Sequence, residues 1–149
     1  MHAGKLQDTQ IFDPARLNPT QQAEFCGTCH YLQEARSGVR KGVQTVLSPS
    51  YRLMQSRCWS ADDRRSECTF CHDPHHPTPR QTTFYDSKCL SCHVSAGVAT
   101  SAGQTGKACP VEKQDCAGCH MPAVSVPGAR ASYSDHRIRI VHAGAPYPE

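Results

Sequence analysis

Eight of the ten cysteines fall in four copies of one pattern: Cys26-Gly-Thr-Cys29-His30, Cys68-Thr-Phe-Cys71-His72, Cys89-Leu-Ser-Cys92-His93 and Cys116-Ala-Gly-Cys119-His120. Two thiols at i and i+3 lie along one helical turn and can form thioethers to the two vinyl groups of one porphyrin. The adjoining imidazole then reaches the iron as proximal axial ligand. Paired CxxC sequences can instead build Cys₄ zinc sites or redox-active dithiols, but neither chemistry needs a histidine after every second cysteine. With nine histidines in 149 residues, chance fills all four positions at odds of roughly one in 10⁵. The pattern therefore points to four haem c groups, attached through the eight cysteines and ligated by His30, His72, His93 and His120.

Full bis-histidine ligation would draw four distal ligands from the five remaining histidines: His2, His75, His76, His136 and His142. His75 is too close to His72 to reach the opposite face of the same porphyrin. Three residues span at most about 10 Å, and Pro74 fixes their path. His75 or its neighbour His76 is expected to serve a different haem, with the other exposed, because consecutive residues of an extended segment point opposite ways. His136 begins an extended tail, Arg137-Ile138-Arg139-Ile140, whose alternation also reads as an edge strand. His142, close to the terminus, and His2, next to Met1, are weaker candidates, and an ordered His2 would itself suggest iron binding. Met54 is an alternative thioether ligand; Met121, directly after His120, is read as packing.

The elements that must position these groups follow from composition. Only 38% of the chain is hydrophobic, with four Phe and one Trp against ten Gly and eleven Pro. Such a chain struggles to offset folding entropy from its own side chains, so something else must fill the core. Four haems would do so, at about one per 37 residues. A compact domain of this length has a radius of gyration near 15 Å, which crowds the cofactors within electron-tunnelling range. The formal charge of +3 turns to about −1 once eight propionates and four ferric cores are counted. The Arg and Lys excess thus reads as compensation for propionates, leaving no surplus for nucleic acid.

The expected fold is mainly short α-helices and long loops wrapped around a stack of four covalently bound haems, with little β-structure. Asn18-Pro19 reads as N-cap and first turn of a helix running into Cys26. Ser60-Ala-Asp-Asp63 fits a capping box ahead of Cys68, and Asp86 a cap for the turn into Cys89. Loops are expected at 47–52, 73–80, 95–110 and 122–132. The irregular motif spacing does not indicate a solenoid. Cys58 and Cys109 lie outside the motifs; haem c matures outside the cytoplasm, where disulfides persist, so a Cys58–Cys109 bridge is expected. No apolar run is long enough to cross a membrane, which makes the expected location periplasmic or extracellular.

The four motifs, "CHMP" at 119–122 and "SDHRI" at 134–138 resemble the tetrahaem cytochromes c that accept electrons from hydroxylamine oxidoreductase, and still more the wider multihaem family with that tail. The similarity covers roughly residues 20–142. It implies haems alternating between parallel and perpendicular packing, His136 as distal ligand to an earlier haem (the first), and His75 and His2 as distal ligands to two others. It also implies that one haem, often the second, lacks a distal side chain. The chain begins close to His2 without a signal peptide, so residues 1–149 are expected to be one tetrahaem domain, a mature or truncated part of a longer multihaem protein. Two functions follow. One is an electron carrier between redox-protein donor and acceptor, including a homopolymer or an assembly with other multihaem subunits in which a histidine such as His2 ligates a neighbour's haem. The other is an enzyme reducing or oxidising a small nitrogen or oxygen species at an open iron, with Arg64, Arg65 or a spare histidine as distal polar groups.

Overall fold

Helix α1 (Pro19–Gly27) starts as its sequence expects. The Asn18 side chain accepts from Gln21 N, the Gln21 side chain accepts from Asn18 N, and Pro19 needs no hydrogen-bond partner for its nitrogen. The computed structural model describes residues 12–93 and 109–147. Within them follow α2 (Leu32–Arg36), α3 (Pro49–Met54), α4 (Cys68–Cys71), α5 (Thr82–His93) and α6 (Cys116–His120), with short 3-10 turns at Pro14–Arg16, Gly42–Leu47 and Arg64–Ser66. A two-stranded antiparallel ribbon closes the order: β1 (Ala123–Ser125) pairs with β2 (Ser132–Ser134) in the register Val124↔Tyr133. Short helices, long connections and little strand are what composition led one to expect.

Three local expectations change. Residues 47–52 are not a loop, because Pro49 sits in the first turn of α3 and starts a helix where it was read as a breaker. Ser60 and Asp63 do not cap the second motif. Asp63 turns instead to Arg65, accepting from its backbone and guanidinium at 3.0 Å, and α4 begins after Glu67 without a side-chain cap. Asp86 lies inside α5 and does not start it.

The interior is thin. Among the described residues the buried apolar side chains are Ala23, Leu32, Ala35, Val46 and Val126, whereas ten polar or charged residues are buried. Helix α3 packs on α1 and α2, α4 on α1, and α6 on α5. Close approach of α1 and α2 depends on Gly27: a Cβ there would come within 2.5 Å of Leu32 Cβ.

The contact between α1 and α4 is polar and long-range. Gln22 is fully buried; its Oε1 accepts from Thr69 N at 2.9 Å, and its Nε2 donates to Thr69 Oγ1 at 3.0 Å and to the Pro14 carbonyl at 3.2 Å. One amide thus satisfies the open N-terminus of α4 and anchors the chain before α1. Gln22→Leu keeps the bulk but leaves a buried N–H and a carbonyl unpaired. It is expected to destabilise the protein by about 1–3 kcal/mol, read as a lower urea midpoint at unchanged slope. A change below about 0.5 kcal/mol would show that the amide is not what joins the two helices.

Candidate functional site

The four motifs occupy helix ends or single turns. Motifs one and three close α1 and α5; motifs two and four are themselves the short helices α4 and α6. They come together in two pairs built by one device. In the first pair, Gln22, one turn before Cys26, holds the N–H of Thr69 next to Cys68. In the second, Asp86, one turn before Cys89, accepts from Cys116 N at 2.8 Å and Asp115 N at 3.0 Å. The Asp86 side chain therefore caps the fourth motif, not the third as its position suggested.

Among the described residues, the two non-glycine residues with positive φ adjoin motifs: Tyr31 (φ 56°) directly follows His30, and Asp115 (φ 51°) directly precedes Cys116. Left-handed backbone costs an L-residue roughly 1–2 kcal/mol. Here the cost is met by fixing the chain sharply beside an expected iron ligand: the Tyr31 carbonyl accepts from Ser48 Oγ at 3.0 Å. A Cβ on Gly118, inside motif four, would collide with the Asp115 carboxylate.

The histidines divide into groups. His30 and His136 line one cleft of about 460 Å³, together with Tyr31, Arg40, Val46 and Tyr133. His72 and His75 line a second, of about 320 Å³, with Asp13, Thr69 and Asp73. The His72 and His136 rings are 6.1 Å apart between centroids. Burial pushes the pKa of both downward, and each imidazolium is further disfavoured by neighbouring histidines, so both rings are held neutral. The Nδ1 of His136 lies 3.0 Å from the Ser134 carbonyl and that of His120 lies 2.8 Å from the Arg139 carbonyl. A carbonyl can only accept, so Nδ1 carries a hydrogen in both rings, which leaves Nε2 as the nitrogen a metal would take.

His75 and His76 do not point opposite ways. Residues 73–76 form a turn, in which His75 N donates to Asp73 Oδ1 at 2.9 Å, and His76 Nδ1 lies 2.7 Å from Asp73 Oδ2. Both rings are mostly exposed. His142 is exposed as well, and His2 and most of the stretch 95–110, expected as a loop, lie outside the described residues. The pair Arg64 and Arg65 is engaged: Arg65 Nη2 is 2.8 Å from Asp63 Oδ2, and Arg64 Nη2 donates to the Ala15 carbonyl and to Glu67. The expected Cys58–Cys109 bridge is not present in the structure, where Cys58 is exposed and Cys109 half-buried. The thiol of Cys58 interacts electrostatically with Cys92, whereas Cys109 takes backbone hydrogen bonds from Glu112 and Val111.

Two donor chemistries can be tested on this arrangement. A Cys₄ zinc site needs four converging thiolates. Among the described residues no group of three or more His, Cys, Asp or Glu side chains is placed to hold a common ion. Haem c asks for something else: for each group one CxxC pair and an adjoining imidazole, with apolar surface beside them. The residues fit that demand, with Phe12, Phe25, Tyr31 and Phe84 all more than a third exposed. No family model, curated protein or solved structure matches the chain.

Hydrogen bonds from the Cys116 and Asp115 backbones outweigh burial and hold the Asp86 carboxyl below its ordinary 3.8. A carboxyl whose pKa is lower folded than unfolded stabilises the fold fully above its unfolded value. That contribution is lost as pH falls through the folded value. Asp86→Asn is therefore expected to lower stability at neutral pH, with the gap to the parent protein closing on acidification. Urea unfolding at a series of pH values from about 6 to 2 measures it. A gap that stays constant with pH would mean that Asp86 does not act as a carboxylate.

Proposed function

We propose that this chain is a tetrahaem c-type cytochrome that carries electrons, acting outside the cytoplasm. The observation that supports it most is the coincidence of four CxxCH motifs, joined in pairs by buried polar caps, with an interior that among the described residues buries more polar than apolar side chains. The haems, once attached, supply the reversible Fe(III)/Fe(II) couple. Everything else falls to the polypeptide. Gln22 and Asp86 fix the motif helices against each other. His30, His72, His93 and His120 present proximal imidazoles, and the cleft shared by His30 and His136 supports His136 as distal ligand to the first haem. His75, exposed beside His72 with its Nδ1 toward Asp73, would offer Nε2 as a distal ligand to another haem. Arg40, whose guanidinium lies 4.0 Å over the Tyr31 ring, faces the first cleft and suits a propionate.

The carrier reading is preferred to an enzyme at an open iron, because Arg64 and Arg65 are committed to protein acceptors. The partners are a redox-protein donor and acceptor, or further haem subunits including copies of this chain. Among the described residues no helix is long and apolar enough to cross a membrane.

Expressed in a periplasm with haem c maturation, the protein is expected to carry four covalent haems by mass and pyridine haemochrome, and three after Cys116→Ala with Cys119→Ala. Electron paramagnetic resonance of the oxidised protein, integrated per haem, is expected to show low-spin iron. Zinc in place of haem would overturn the assignment. A high-spin iron that binds cyanide and turns over a small nitrogen or oxygen species would replace the carrier by the enzyme.

A further inference from the structure

Arg52 and Asp135 form a salt bridge in which both side chains are completely buried. It is bidentate: Arg52 Nε donates to Asp135 Oδ1 and Nη2 to Oδ2, each at 2.9 Å. Two more donors reach the same carboxylate, the Arg137 N–H at 3.1 Å and Arg139 Nη1 at 2.5 Å. Four donors on one buried carboxylate are more than tethering a loop requires. The residues on either side explain the excess.

Asp135 immediately precedes His136, whose carbonyl accepts from Ser56 Oγ at 3.2 Å. The same hydroxyl accepts from Ile138 N at 2.8 Å. Helix α3 and the turn after it thus grip the segment both before and after His136. At the other end, Arg139 brackets His120: its N–H donates to the His120 carbonyl at 3.2 Å, and its own carbonyl accepts from His120 Nδ1 at 2.8 Å. The Arg139 side chain returns to Asp135. Tyr147 lies over the Arg52 guanidinium at 4.6 Å with its hydroxyl 3.5 Å from Thr45 Oγ1, so the end of the tail covers the pair.

We propose that the Arg52–Asp135–Arg139 network is a positioning device shared by two irons, fixing the imidazoles of His136 and His120 through the single segment 134–139. The device rests on the haem reading above. Buried charges make it all-or-none: with either partner withdrawn the other is an uncompensated charge, so the segment is seated whole or displaced whole. The two histidines are then held or released together, and the redox properties of two centres are linked through the polypeptide.

The test uses the full holoprotein, its four haems first verified by mass. Asp135→Asn and Arg139→Met are compared with Ser56→Ala, which removes the contacts to the His136 carbonyl and the Ile138 N–H but leaves the carboxylate network and the Arg139 bracket on His120 in place. Arg139→Met leaves the Arg52–Asp135 pair intact and serves if Asp135→Asn does not accumulate. Per-haem midpoint potentials and electron paramagnetic resonance g-values are read. The expected result is that two of the four haem signals move together in Asp135→Asn and in Arg139→Met, while Ser56→Ala moves one. With four haems attached, movement of none, of one, or of all four in both network variants overturns the shared device. Absence of covalent haem from the parent protein overturns the functional reading instead.

Discussion

The constraint on which the rest of this structure depends is that its interior is polar. Leu32, Val46, Val126 and two alanines are the apolar side chains it buries among the described residues, beside Gln22, Arg52, Asp63, Glu67, Asp86 and Asp135. A buried polar group without a partner costs about 1–3 kcal/mol, and a charge far more. Each therefore dictates what lies next to it. Gln22 dictates Thr69, Asp86 dictates the first turn of α6, and Arg52 dictates the whole segment around Asp135. A core of leucines would tolerate sliding; these contacts have one geometry each. The polypeptide behaves as a frame of fixed points around surfaces it leaves uncovered, such as Phe12 against Phe25 at 5.3 Å.

That frame explains which parts were legible in the sequence. The CxxCH motifs and the Asn18 cap are local patterns of four or five consecutive residues, and the structure keeps the cap and the scarcity of strand that composition implied. The polar cross-links join residues 30 to 83 positions apart. Nothing in the neighbourhood of Asp86 distinguishes an acid that caps its own helix from one that caps a later one. Arg52 reads as one more surface cation until Asp135 is found opposite it. Pro49 was misleading for a related reason, since proline both starts and breaks helices and only the following turn decides. At His75 and His76 the error lay in assuming extended backbone. Alternation belongs to strands, and Asp73 captures the His75 N–H to make a turn.

The pairing of motifs also changes how their irregular spacing is understood. Spacing along the chain would matter if each motif were an independent bead. Here the first helix of each pair carries the group that completes the second, so the connecting segments are free to differ in length and composition. The two strained residues fall where this arrangement meets the expected ligands: Tyr31 turns the chain after His30, and Asp115 turns it into α6, where Asp86 receives its N–H. Strain persists only where the surroundings over-determine it, and both positions are held by hydrogen bonds from other elements.

A carrier of electrons is served by ligands that do not move when the charge on the metal changes. Long connections between short helices leave few backbone hydrogen bonds to fix them. This chain's solution is to place the expected ligands at points where backbone and side chain are both satisfied. His136 and His120 each donate Nδ1–H to a carbonyl of the segment 134–139, and that segment is pinned by a carboxylate with four donors. Reorientation of either imidazole would break its hydrogen bond to a backbone carbonyl. The exposed His75 and His76, held by a solvent-facing Asp73, have no such restraint. The molecule therefore combines two imidazoles held by backbone carbonyls with two held only by an exposed carboxylate at its surface.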